Sequence, residues 1–300
     1  MDRLNAMTVF VEVAERGSLA AAARALGVTP SAVTRAINGL EQHLGAQLLI
    51  RTTRAITLTS AGTGFLDDAK RLLDALSDAE LRAAGDHGTI RGRVRVTAPR
   101  LFGRAYVVPA VLDFVREHAD LDAELICVDH VVDIVREGID IAVRIGDLPD
   151  SALKASRVGQ VRRVLVASPD YLEEHGTPTD AAALAEHRVL HAGAAPPRDA
   201  PVVWRLGPET EVRVRPRAFL GDPAAALPAA LAGHGITRVL SYQAMPHVLA
   251  GRLRVVLSDE SRSVPVNVVH VHGDQPPLRI ERLVAHLRER LRREPLDVPR

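Results

Sequence analysis

The chain has a single cysteine, Cys127, only two lysines, Lys70 and Lys154, and no uninterrupted run of eighteen apolar residues. One thiol excludes an internal disulfide and a cysteine-built zinc site, and it suits a reducing compartment. The alanine-rich stretches are broken by Arg24, Pro228 or His234, so no transmembrane helix and no membrane partner are expected. Met1-Asp2-Arg3-Leu4-Asn5 is acidic and polar where a secretory leader needs a basic start and an apolar stretch, and the cytoplasm is the expected location. Phosphate-cradling glycine loops are missing as well, since Gly85 to Gly92 contains no lysine and no following Gly-Lys-Ser. Among twelve histidines none sits in a helical His-x-x-x-His pair with a nearby acid. His270 and His272 share one face of an expected strand, but no third ligand follows in sequence. Asp67-Asp68 reads as a solvated helix face, and no nucleophile, base and orienter combine. No metal, cofactor or catalytic residue is therefore expected.

What is present is 300 residues of ordinary globular composition, 47% hydrophobic and 25% charged, enough for two or three domains with proper cores. The net charge of +1 is unevenly spread. Residues 1–60 carry six arginines against four acids, a balance of +2, while residues 61–90 carry three cations against six acids, a balance of −3. Nearly all positive charge is guanidinium, which suits bidentate contacts.

Leu4, Met7, Val11 and Ala14 recur at three- and four-residue steps and place one apolar stripe on a helix. Gly17 stops it. Ser18 can cap a second helix over Ala20–Leu26, which Gly27 ends, and Thr29 with Pro30 opens a third running to Leu44. On this third helix Val33, Ile37, Leu40 and Leu44 form the expected buried stripe, and Ser31, Thr34, Arg35 and Asn38 share the opposite side. The periodicity suits a helix-turn-helix, whose second helix enters a DNA major groove, and equally a plain three-helix bundle with a solvated face. Leu48–Arg51 and Ala55–Thr59 then read as strands joined by Thr52-Thr53-Arg54. A hairpin bearing Arg51 and Arg54 beside such a helix is a wing that can reach a backbone or a minor groove.

These residues resemble the DNA-binding domain of LysR-type transcriptional regulators. The likeness rests on the run Gly17–Gly27, on Pro30-Ser31-Ala32-Val33-Thr34-Arg35-Ala36-Ile37, Leu40-Glu41, Leu44-Gly45 and Leu48-Leu49. It continues through Arg51-Thr52-Thr53-Arg54 and Leu58-Thr59-Ser60-Ala61-Gly62. Ile50 departs from the polar or aromatic residue usual before the wing arginine. The resemblance implies that Thr29, Ser31, Thr34, Arg35 and Asn38, with Arg51, Thr53 and Arg54 of the wing, contact double-stranded DNA.

From Ser60 to about Ala84 a helix of roughly 37 Å is expected, with Leu66, Ala69, Leu73 and Leu76 at the spacing of a paired seam. Its partner is either the rest of the same chain or the same helix of a second subunit. The resembled family pairs this helix between subunits, giving a homodimer or homotetramer. Gly85-Asp86-His87-Gly88 is the expected hinge.

Residues 91 onward alternate strand and helix. Strands are expected at 93–98, 121–128 and 139–145, with helices over 102–118 and 131–138, and a second set starts with a strand at 163–167. Val266–Val271 reads as a return strand and Leu278–Arg293 as a terminal amphipathic helix. The expected domains are 1–59, a linker helix and hinge over 60–90, and 91–300. The last comprises lobe one, 91–162 plus 266–300, and lobe two, 163–265. Ligands in such α/β units bind outside the carboxyl ends of strands. Lobe two would add 192–195, Gly221-Asp222 and Ser241-Tyr242-Gln243.

Ala98-Pro99, Val108-Pro109, Asp140–Gly146, Arg162–Pro169, Ala230–Ile236 and Gly251-Arg252-Leu253 resemble the effector-binding domain of the same family, whose fold is similar to that of periplasmic solute-binding proteins. The fold class implied is α/β multidomain: a winged helix-turn-helix, a long linker helix and a two-lobed effector-binding domain. The function implied is sequence-specific transcriptional regulation controlled by a small-molecule co-inducer, with RNA polymerase an admissible further partner. Arg100 stands where the family favours a small residue, and Gly221-Asp222 where it favours asparagine. Arg100, Leu101, Phe102, Arg144, Gly146 and Asp222 are the candidate effector residues. Arg100 and Arg144 would hold a carboxylate or other anion, unless Arg144 pairs internally with Asp140 or Asp147. The competing class is a small-molecule enzyme or carrier whose N-terminal module serves only assembly.

Overall fold

The computed structural model describes residues 2–51, 56–83, 90–148, 154–193, 202–207, 210–258, 262–272 and 276–297. They form two compact units, 1–93 and 94–300.

The first unit opens with α1 (Arg3–Arg16), α2 (Leu19–Ala25) and α3 (Pro30–Leu44). The starts of α2 and α3 are capped as the sequence leads one to expect, and α1 is capped by Asp2, which sequence reasoning did not single out. Ser18 Oγ accepts the Ala21 N–H, and Thr29 Oγ1 accepts that of Ala32. Gly17 and Gly45 close α1 and α3 in the left-handed region, where a side chain would be strained. Val9, Phe10 and Val13 of α1, Ala22 and Ala23 of α2, and Val33, Ile37 and Leu40 of α3 make one core with Leu48 and Leu49. The small alanines of α2 let the helices approach closely. A hairpin of β1 (Leu49–Arg51) and β2 (Ile56–Leu58) follows, with Leu49 opposite Leu58 and Arg51 opposite Ile56.

The 24-residue α4 (Ser60–Ala83) leaves the hairpin directly. Thr59 anchors its start, donating to the Gln47 carbonyl at 2.7 Å and accepting the Gly62 N–H at 2.9 Å. Phe65 meets Phe10 with ring centroids 5.6 Å apart, and Lys70 pairs with Glu15 at 2.6 Å, so the first turns of α4 lie on α1. Residues 85–88 of the expected hinge lie outside the described residues.

In the second unit come β3 (Gly92–Ala98), α5 (Arg100–Phe102), α6 (Val108–Glu117), β4 (Leu121–Cys127), β5 (Ile141–Ile145) and β6 (Lys154–Ala167). Then follow α7 (Pro169–His175), β7 (Val189–Ala192), β8 (Val202–Arg205), β9 (Glu211–Val214), β10 (Ala218–Leu220), α8 (Ala226–Leu231) and β11 (Ile236–Leu240). Last are α9 (Ser241–Leu249), β12 (Arg254–Val256), β13 (Arg262–His270) and α10 (Leu278–Arg293). The strands form one sheet in the order β10-β7-β11-β6-β13-β5-β3-β4, with β12 also on β6, while β8 and β9 make a separate ribbon. Both faces of the sheet are covered. Leu165 and Ala167 point into a core with Trp204 and Tyr171, and their neighbours Val164 and Val166 point into another with Ala226, Ala230 and Ala244.

Two expectations need correction. The strand expected from Arg163 begins at Lys154. Its first half pairs with β13 and its second with β11 and β12, so one 14-residue strand runs through both halves of the sheet. The helix expected over Val131–Gly138 is a single turn. Asp133 takes the Arg136 N–H on its side chain, Glu137 N–H returns to the Asp133 carbonyl, and Gly138 reverses the chain at φ 62°. Val132 and Ile134 are buried there, and Val131 is 93% exposed. A helical stripe that places only two residues against the sheet has too little burial to extend itself.

Candidate nucleic-acid interface and ligand cavity

The polar side of α3 is the side turned to solvent. Thr29, Ser31, Arg35 and Asn38 are exposed and Thr34 is half-exposed, while Val33, Ile37 and Leu40 opposite them are fully buried; Leu44, expected in that stripe, is exposed because it is the last residue of the helix, beyond the core. The hydroxyls are ordered locally. Thr29 Oγ1 and Ser31 Oγ are 3.0 Å apart, and Thr34 Oγ1 donates to the Pro30 carbonyl at 3.0 Å.

Arg51 ties the hairpin to this helix. Its Nη2 donates to Asn38 Oδ1 at 2.8 Å and lies 3.4 Å from Glu41 Oε2. The other Glu41 oxygen accepts the Leu48 and Leu49 N–H groups at 2.8 and 3.0 Å. Glu41, the acid nearest the polar face, is thereby spent on the hairpin, and Arg51 is held in place before any ligand arrives. Sequence reasoning did not single out Glu41, although its place one turn from Asn38 on an amphipathic helix was a usable signal. Thr53 and Arg54 lie outside the described residues.

In the second unit the predicted effector residues do not gather at one point. Arg100 is about half-exposed. Its backbone N–H donates to Asp129 Oδ1 at 2.9 Å, and its Nε is 3.9 Å from Asp129 Oδ2. Leu101 is half-buried beside it. Phe102 is completely buried and packs on Tyr106 and Tyr242, with centroids at 5.0 and 5.2 Å. Asp222 is exposed and caps the next turn by accepting the Ala224 N–H at 3.0 Å. Ser241, expected among lobe two's contributions, is consumed internally. It accepts the Arg162 N–H at 2.9 Å and donates to the Leu296 carbonyl at 2.8 Å. Burial raises the Tyr242 hydroxyl well above the usual tyrosine range.

Arg144 and Gly146 sit together in a cavity of about 540 Å³, lined also by Pro99, Val128, Asp129, Asp147 and Val269. Gly146 closes one wall, its N–H donating to the Pro265 carbonyl at 2.9 Å and its carbonyl accepting Asn267 Nδ2 at 3.2 Å. Arg144 Nη2 is buried without a hydrogen-bond partner. Burial lowers the Arg144 guanidinium below the usual arginine value, and Glu137 opposes that shift. Asp140, one of the two acids weighed as its partner, is used elsewhere. It accepts the Arg95 N–H at 2.8 Å and faces His272 Nε2 at 3.0 Å. His272 is thus engaged with a carboxylate, and no cluster of three metal-ligating side chains occurs among the described residues.

Burial also lowers His187, His191, His247 and His270, all in the second unit. Each is held below the ordinary value of about 6.5, so between its folded value and 6.5 the unfolded chain binds more protons. Stability is therefore present above about pH 6.5 and is lost as pH falls through that value. Trp204 is the chain's one tryptophan and is buried in this unit, so its fluorescence should report a lower melting temperature at pH 5.5 than at 7.5. Superimposable melts would show that burial does not govern these imidazoles.

A helix-turn-helix whose polar face is open, with an adjoining hairpin, and a separate α/β unit holding a largely apolar cavity with one arginine in its lining define a DNA-binding regulator that senses a small molecule. The comparisons agree. Residues 4–63 match the bacterial regulatory helix-turn-helix protein model of the lysR family, and residues 87–292 match the LysR substrate binding domain. An HTH-type transcriptional regulator of Xanthomonas campestris pv. campestris is 33% identical over 96% of this chain and 85% of its own. An HTH-type transcriptional repressor of Pseudomonas aeruginosa is 33% identical over 90% and 86%. The solved structure of CrgA, a LysR-type transcriptional regulator from Neisseria meningitidis, superposes with a TM-score of 0.58 at 27% identity, covering 96% of this chain and 98% of that one. This chain belongs to the LysR family of transcriptional regulators. No described helix is long and apolar enough to cross a membrane.

Proposed function

We infer that the chain binds duplex DNA through Thr29, Ser31, Thr34, Arg35 and Asn38 of α3 and through the wing residues Arg51, Thr53 and Arg54. It works as a homodimer or homotetramer in the cytoplasm, with RNA polymerase as a further contact. A small anionic effector taken up by the 94–300 unit sets its affinity for DNA. The single observation that carries this reading is the exposed hydroxyl, amide and guanidinium face of α3 set opposite its fully buried stripe. Pairing through α4 is supported by Leu72, which is 52% exposed next to the only partly buried Leu73 and Leu76.

Mobility-shift titrations at several salt concentrations test the reading. The parent should bind specifically and lose affinity as salt rises, with a log–log slope of about −0.9 per phosphate contact. Replacing Arg35 by alanine should cost about 1–3 kcal/mol at selected base positions. Arg51→Ala should weaken all sequences alike, because that guanidinium orients the wing and faces the backbone. Binding that ignores salt, or identical sequence profiles for the two variants, would overturn the assignment.

A further inference from the structure

We propose that the cavity under the 131–138 turn is a binding site for a small monocarboxylate with an apolar body, and that Arg144 is its anion-holding group. The proposal rests on the reading of 94–300 as an effector-binding unit and names the ligand class and the place.

Arg144 lies on β5 two residues after Ala142, so both side chains share one face of the sheet. On the neighbouring strand Val269 stands opposite Ala142 and Asn267 opposite Arg144. That face is apolar at Ala142 and Val269, and the turn above it adds Val132 and Ile134. An arginine in such surroundings is ordinarily paired. Here Nη2 is buried with no partner, and Asp140 is already committed to Arg95 and His272. A charged donor withdrawn from water and left unsatisfied is costly, and a carboxylate is the acceptor that offsets it best.

The cavity's volume, about 540 Å³, falls within the range of small-molecule sites. Its lining also carries Asp129 and Asp147, so a second negative charge on the ligand would meet carboxylate groups. One anionic end and an apolar remainder is the chemistry that matches. Among the described lining residues none belongs to 163–265. The described lining comes from 91–162 and 266–300.

Calorimetric titration of the full chain with benzoate, phenylacetate and 4-methylpentanoate is the test, with benzamide, terephthalate and inorganic phosphate as contrasts. At least one monocarboxylate should bind, and its amide or dicarboxylate counterpart should bind about tenfold more weakly or worse. Arg144→Met should reduce monocarboxylate affinity by about tenfold to a hundredfold while leaving the melting temperature equal or higher, because an unpaired buried charge has been removed. Binding of none of the monocarboxylates, phosphate binding as tightly as they do, or monocarboxylate affinity indifferent to Arg144→Met would each overturn the proposal. If Arg144→Met does not fold, the contrasts on the parent chain still decide. Carboxylate binding through Arg144 that leaves DNA affinity unchanged would sink effector control and keep this site. DNA affinity that responds to a ligand held elsewhere would do the reverse.

Discussion

Gly62→Ala should weaken DNA binding at least about tenfold and lower the melting temperature of the N-terminal unit, while ligand binding by the 94–300 unit is retained. A methyl group at position 62 would lie 2.0 Å from the Leu48 carbonyl oxygen and 2.9 Å from its carbon. That oxygen cannot step aside. It accepts the Thr59 N–H at 2.9 Å, and the Leu48 N–H is held by Glu41. The side chain of Leu48 is buried in the three-helix core. The first turn of α4 must therefore move off the hairpin, and Thr59, which caps that turn and clamps the Gln47 carbonyl, moves with it. Forced expansion of a well-packed site costs about 1–3 kcal/mol and occasionally more. For a unit of this size each kcal/mol is roughly 4–8 °C. Because Arg51 and Asn38 are coupled across the same hairpin, the displaced strand also disturbs the polar face of α3. A loss of DNA affinity of at least about tenfold is expected, equivalent to about 1.4 kcal/mol. Calorimetry together with mobility-shift assays checks it. A Gly62→Ala protein that melts and binds DNA as the parent does would show that the hairpin is not seated on α4.

Trp204→Ala should have the corresponding effect in the other unit. Trp204, on β8, is 1% exposed and packs with Tyr171, Leu184 and Val189. Its indole N–H donates to His191 Nδ1 at 3.2 Å, and the Arg238 guanidinium sits 5.4 Å above its ring. Burial and the nearby Arg163 lower Arg238 to about 10. Removing the ring leaves a large void, an unanswered imidazole nitrogen and a guanidinium without its π face. Truncation of a buried tryptophan costs about 3–5 kcal/mol, or roughly 6–20 °C for a unit of about 200 residues. Trp204→Phe keeps an aromatic face but loses the hydrogen bond and part of the ring volume, so it should cost about 1 kcal/mol for the bond plus the effect of a small cavity, less than Trp204→Ala. DNA binding in the absence of ligand should persist in both variants, because the α3 face belongs to the other unit. Calorimetric melts in which Trp204→Ala and Trp204→Phe fall together would show that the ring contributes nothing beyond its N–H.

Legibility differed between the halves for a physical reason. Helix α3 was readable because one face meets the core and the other meets water, and that contrast writes a period into Val33, Ile37 and Leu40. Its limits were readable because Thr29, Pro30 and Gly45 act on their own backbone neighbours. Strand β6 was not readable over its full length. It is buried on both faces in its second half, where Val164 to Ala167 form an unbroken apolar run, and paired on exposed ground in its first, where Lys154 to Arg157 are polar. Such a strand has no single period. The 131–138 stretch misled for the opposite reason, since Val131, Val132, Ile134 and Val135 suit a helix although only two of them reach the sheet.

Local chemistry in the chain was enough to determine the three capped helices, the polar face of α3, the hairpin beside it and the long helix that follows, because each depends on neighbours a few residues apart. Tertiary structure alone decided what Glu41, Ser241 and Arg144 do. Whether a charge or hydroxyl is spent or left open depends on which distant groups claim it. Arg95 and His272 claim Asp140, the hairpin N–H groups claim Glu41, and the Arg162 N–H and the Leu296 carbonyl claim Ser241. Arg144 is open because, among the described residues, nothing claims its Nη2.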